Sequence, residues 1–210
     1  MTRLFLLPLL LCLAWPAPAQ DWAGATTTDG PVHADGTRLQ IHIPRELHQK
    51  NTGGSDGAGL CVFASMRHAG LWQNDPVFAA LFDWMKRHPG GSYPRKTDAM
   101  IERYCKEKGL PKPLYMQVEG KDLEILKLAV KTGRPPGITM GYLPGYRSRI
   151  AHMVSLVHAG PGGHWAVLDN NYPGRFAWMG QAEFLRSYTS HGQGWAIVLL
   201  SAPPPPAPKE

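Results

Sequence analysis

The chain has 210 residues, a net charge of +6 and 43% hydrophobic residues, which is enough for one domain with a sizeable core. Its basic residues are scattered rather than clustered, which argues against a nucleic-acid partner. The first apolar run is too short to span a bilayer and no second such run follows, so no stable membrane insertion is expected of the mature protein.

That first run belongs to residues 1–19. Arg3 precedes a leucine-rich stretch, and Ala17-Pro18-Ala19 is a small-x-small cleavage pattern, so the segment reads as a secretory signal peptide and the mature protein as secreted or periplasmic. Cys12 leaves with it. Cys61 and Cys105 then remain in a compartment where disulfides form.

Residues 20–45 read as an N-terminal extension, with turns at Asp29-Gly30-Pro31 and Asp35-Gly36 and a short strand over 39–43. A domain over 46–202 follows, and a proline-rich tail over 203–210 ends the chain. Within the domain, a glycine loop over 53–59 runs into an apolar stretch beginning at Cys61. A thiol there sits at the start of a helix, where unpaired backbone N–H groups and the positive end of the macrodipole favour the thiolate. This first helix should end near Gly70.

Asp75-Pro76 predicts a cap and first residue for a second helix carrying Phe78, Leu81, Phe82 and Met85, stopped by Pro89-Gly90-Gly91. Thr97 is the expected cap of a third, whose Ile101, Tyr104 and Cys105 share a face, with Gly109 closing it. Cys105 is thereby a core thiol. A strand over 114–118 and a fourth helix marked by Leu123, Leu126 and Val130 come next. Strands are expected over 137–140, 151–159, 165–170, 176–179 and 195–200, with a helix over 181–188 among them. Helices first and an antiparallel sheet afterwards indicate an α+β domain.

A reactive cysteine in the helical half needs a base from the sheet half. Gly160-Pro161-Gly162-Gly163 predicts a hairpin, which brings His152, at the start of one strand, beside Asp169 and Asn170, at the end of the next. Opposed residues there lie about 5 Å apart. Pairing His152 with Asn170 opposes Val154 to Leu168; pairing it with Asp169 opposes Val154 to Val167. Both registers are sensible, and either side chain can accept Nδ1–H and turn Nε2 toward the sulfur. His164 lies on the same strand as Asp169, about 17 Å away at roughly 3.3 Å per residue, and reads as a hairpin-tip residue.

Cysteine at a helix start, then histidine on a strand, then Asp or Asn, resembles the papain-like cysteine peptidase superfamily. His152 with Leu168-Asp169 after a hairpin looks most like its bacteriocin-processing and phytochelatin-synthase branches. The resemblance runs over roughly residues 49–201. It implies a papain-like α+β fold with the central helix opening at Cys61, and a thiol hydrolase acting on a peptide or protein substrate with Cys61, His152 and Asp169 or Asn170 as the catalytic set. Lys50-Asn51-Thr52-Gly53 resembles the family's Lys-Asn-Gln-Gly segment, but Thr52 stands where the oxyanion-hole glutamine would be. The side-chain donor is therefore open among Asn51, Thr52, Ser55 and Asp56. An acyltransferase with the same triad is the first alternative. A noncatalytic binding module on the same fold, with Cys61 disulfide-bonded to Cys105, is the second. No cofactor is expected, and a zinc site built from Cys61 and histidines lacks the close ligand pairs such sites show.

Overall fold

The computed structural model describes residues 27–28, 30–52, 60–88 and 92–204. The expected signal peptide, the glycine loop with Ser55 and Asp56, the helix stop at 89–91 and the end of the proline tail lie outside the described residues. The first helix, α1 (Leu60–Trp72), opens one residue before Cys61 and runs past Gly70. Gly70 is a contact glycine rather than a stop. A Cβ there would lie 2.3 Å from Ala79 N and 2.6 Å from the Phe78 carbonyl carbon, so its absence lets α2 (Pro76–Met85) cross against α1. Asp75 caps α2 as predicted, accepting from Val77 N at 3.0 Å and Phe78 N at 2.9 Å.

The third helix, α3 (Pro94–Lys108), starts before the expected cap. Tyr93 is its N-cap and Pro94 occupies its first turn. Thr97 is buried inside the helix and pairs with Ser92 Oγ at 2.6 Å. Gly109 ends α3 in the left-handed conformation at φ 64°, which glycine adopts without steric cost.

Among the described residues seven strands pair: β1 (Thr27–Thr28), β2 (Tyr115–Gly120), β3 (Gly137–Met140), β4 (His152–Ala159), β5 (His164–Leu168), β6 (Phe176–Gly180) and β7 (Gly194–Leu199). They form one sheet in the order β1-β6-β5-β4-β3-β7-β2, with every neighbour antiparallel. Helices α4 (Glu124–Lys131) and α5 (Gln181–Tyr188) complete the α+β architecture. Adjacent strand residues go to different cores, as the period of two requires. Met153 and Ile197 join the cluster of α1, α2 and α3. Val154 and Ala196 join that of Leu126, Val130, Phe184 and Tyr188.

The strand expected over 39–43 is not formed. Its alternation is nonetheless physical, because Ile41 and Ile43 are buried while Gln40 and His42 face outward. The segment lies along the part of β4 that β3 leaves uncovered: Ile41 N donates to Val157 O at 3.0 Å, and Gln40 Oε1 accepts from Ala159 N at 2.7 Å. One backbone bond and one side-chain bond replace a ladder. Among the described residues no helix is long and apolar enough to cross a membrane.

Candidate active site

Cys61, Ser65 and His68 recur at a spacing that places them on one stripe of α1. Ser65 Oγ donates to Met153 O at 3.1 Å, and His68 Nδ1 lies 2.8 Å from Ser155 Oγ, so the stripe faces β4. His68 Nε2 accepts from Gln49 N at 2.7 Å. That bond assigns the proton to Nδ1, which donates to Ser155. Burial and the neighbouring His48 hold the His68 pKa down to about 3.

Asn170 adds a second clamp. Its Nδ2 lies 2.8 Å from Met153 O, 3.0 Å from Ser65 Oγ and 3.2 Å from Cys61 O. The amide therefore ties the first turn of α1 to β4. Asp169 takes the other position: His152 Nε2 donates to Asp169 Oδ1 at 2.9 Å. The nitrogen roles are thus the reverse of those expected, with Nε2 on the carboxylate and Nδ1 left for the sulfur.

Neither expected register occurs. Ser155 opposes Leu168 and Leu156 opposes Val167, whereas His158 opposes Ala166. A bulge at Val157 inserts one residue into β4 and slips the pairing below it. His152 itself pairs with Met140 of β3. The ladder between β4 and β5 stops at Ser155 and Leu168, so Asp169 reaches His152 by its side chain from beyond the paired region.

Cys61, His152 and Asp169 are 8%, 6% and 5% exposed, which strengthens the charges they share. For Cys61, burial favours the thiol, but contact with His152, its positive charge and the backbone N–H groups of Met153 and Val62 outweigh it and lower the pKa. For His152, burial opposes the imidazolium, yet the bond to Asp169 and the contact with Cys61 push the pKa up to about 9. Burial likewise works against the Asp169 carboxylate, and His152, Asn171 N and the Tyr146 hydroxyl hold its pKa down. Each of the three shifts favours the charged form of its group.

Sequence reasoning missed the support behind Asp169. Tyr146 donates its hydroxyl to Asp169 Oδ2 at 2.8 Å, and Asn171 N donates to Oδ1 at 2.9 Å. Asn171 Nδ2 in turn donates to the Tyr146 oxygen at 2.9 Å. Asn51 Nδ2 donates to Asn171 Oδ1 at 3.1 Å, and Asn51 N to Asn170 O at 2.7 Å. Of the oxyanion candidates, Asn51 is therefore engaged at the aspartate end of the site, and Thr52 is exposed. A Cys-x3-Ser-x2-His stripe was the available signal for Ser65 and His68; nothing local marked Tyr146.

Cys105 is buried on α3 with its Sγ 3.7 Å from Pro111 O, and both it and Cys61 are free thiols. His158 is a core histidine whose ring tilts against Trp178. His164 opens β5 beside the hairpin tip and contacts Asp35. No protein-family model matches the chain, and no curated protein matches it.

Proposed function

We propose that the chain is an exported papain-like thiol hydrolase that cleaves peptide or amide bonds with Cys61, His152 and Asp169. The observation that carries this reading is the buried set of Cys61, His152 and Asp169, with His152 Nε2 held on Asp169 Oδ1 at 2.9 Å; contact with His152 lowers the Cys61 pKa, and Asp169 and Cys61 push that of His152 up to about 9. Both shifts favour the charged forms, a thiolate able to attack and an imidazolium able to protonate the leaving group at one site.

In the proposed cycle the Cys61 thiolate adds to the carbonyl carbon, and the oxyanion is met by backbone N–H groups at the start of α1. His152 gives its Nδ1 proton to the departing amine as the C–N bond breaks, leaving a thioester. A water then loses a proton to His152 and attacks the thioester, releasing the acid and the thiolate. Asp169 stays ionised and holds the ring.

The test is labelling of the native protein with an electrophilic peptide at neutral pH, followed by mapping of the modified residue. The label is expected on Cys61, with Cys105 protected until denaturation because burial raises its pKa. His152→Ala is expected to abolish labelling and hydrolysis, and His164→Ala to retain both. A label on Cys105 instead of Cys61, or an intact disulfide between the two, would end the catalytic reading. Product masses in the presence of an added amine separate hydrolysis from acyl transfer.

A further inference from the structure

We propose that His33, Asp35 and His164 form a site for one divalent transition-metal ion, best suited to zinc, that clips the N-terminal segment to the tip of the β4–β5 hairpin. One ligand atom from each residue lies within 4.8 Å of the others, although His164 is separated from Asp35 by 129 positions.

The local backbone prepares the first two ligands. A bridge between Val32 and Arg38 closes a turn, inside which His33 N donates to Thr37 O at 2.8 Å and Gly36 N to His33 O at 2.9 Å. Gly36 takes φ 90°, which a side chain would resist. Thr37 N donates to Asp35 Oδ1 at 2.9 Å, so the carboxylate is oriented by the turn itself. The third ligand comes from the first residue of β5, just beyond the turn Pro161–Gly163. The His33 ring lies 4.2 Å from the His164 ring and 5.3 Å from that of Trp178, centroid to centroid. Packing therefore sets its direction.

The distances suit a small ion. Asp35 Oδ1 is 2.9 Å from His33 Nδ1, and Oδ2 is 2.7 Å from His164 Nε2. Zinc bonds of about 2.0–2.1 Å in a tetrahedron separate neighbouring ligand atoms by roughly 3.3 Å, so the contacts need to open by only about half an ångström. Two imidazoles and one carboxylate favour zinc over calcium or magnesium, which prefer oxygen ligands. Side-chain exposures of 13% for His33, 26% for His164 and 47% for Asp35 leave room for water as a fourth ligand. His164 is five residues from Asp169 along β5, about 17 Å at roughly 3.3 Å per residue. The clip is therefore separate from the proposed catalytic site, and either assignment can fail without the other.

The experiment uses untagged, chelator-stripped full-length protein carrying Cys61→Ser, which removes the competing thiol. Zinc chloride is titrated calorimetrically and the unfolding temperature is followed with and without zinc. One zinc per chain is expected, with a rise in unfolding temperature. His33→Ala and His164→Ala should each weaken binding by about tenfold or more, by loss of a direct ligand. The double variant should lose the zinc-dependent rise, and Asp35→Asn, which conserves shape, guards against a folding artefact. Unchanged zinc affinity in all four variants, no uptake by the parent, or a preference for calcium would overturn the site.

Discussion

The His152 imidazole donates from Nε2 to Asp169 Oδ1 at 2.9 Å, while Asn170, the next residue, turns its amide toward Met153 O at 2.8 Å. Adjacent side chains thus face two different elements, one holding the His152 imidazole and the other holding the helix that carries Cys61.

This division separates their variants. Asp169→Asn removes the charge that outweighs burial at His152. The alkaline limb of kcat/KM against pH should fall from about 9 toward the ordinary imidazole value of about 6.5, as an apparent value of the coupled pair. Asn170→Ala should leave that limb in place and lower stability by about 1–3 kcal/mol, because buried acceptors lose their donor. Peptide hydrolysis across pH and urea unfolding check the two arms; a limb moved by Asn170→Ala alone would reverse the roles.

Tyr146 acts on the histidine through Asp169, so its variant has a distinct signature. The Tyr146 hydroxyl is kept protonated by burial and by the Asp169 charge. Tyr146→Phe withdraws one donor from the carboxylate. A loss of about 1 kcal/mol, a few-fold in kcat with KM little changed, is the expected result. The alkaline limb should stay in place or rise, since a less solvated Asp169 attracts the imidazolium proton more strongly. A fall like that of Asp169→Asn would show that Tyr146 does more than position the carboxylate.

His68 predicts acid lability independent of activity. Its folded pKa of about 3 lies below the unfolded value of about 6.5, so the unfolded chain binds the proton first. Its contribution to stability is complete above the unfolded value and is lost as pH falls through the range between the two, with a slope of up to about 1.4 kcal/mol per pH unit. Urea midpoints measured from pH 7 to pH 4 should fall in wild type and fall less steeply in His68→Gln. Parallel slopes would remove His68 as the cause.

The secondary structure was legible where its cause is local. The expected strand at 137–140 coincides with β3 and the helix at 181–188 with α5, because residue period, turn glycines and caps act over one or two turns of chain. Thr97 and Gly70 misled for the opposite reason. Pro94 supplied an earlier helix start, and Gly70 answers to α2 across a packing contact rather than to its own helix end.

The sequence by itself determined the α+β order of elements, a cysteine at the opening of a helix, and a histidine and an aspartate on two strands joined by a glycine-rich turn. Only the tertiary structure decided that Asp169 meets His152 and Asn170 does not. The Val157 bulge slips the pairing, and α1 and β4, packed together, offer the Asn170 amide three oxygen acceptors. Tyr146 behind Asp169, Gln49 against His68, and Asp35 against His164 were decided in the same way. Each joins residues at least 19 positions apart, and separation of that size leaves no periodic or turn signal, because the distance is set by how sheet and helices pack rather than by the backbone between them.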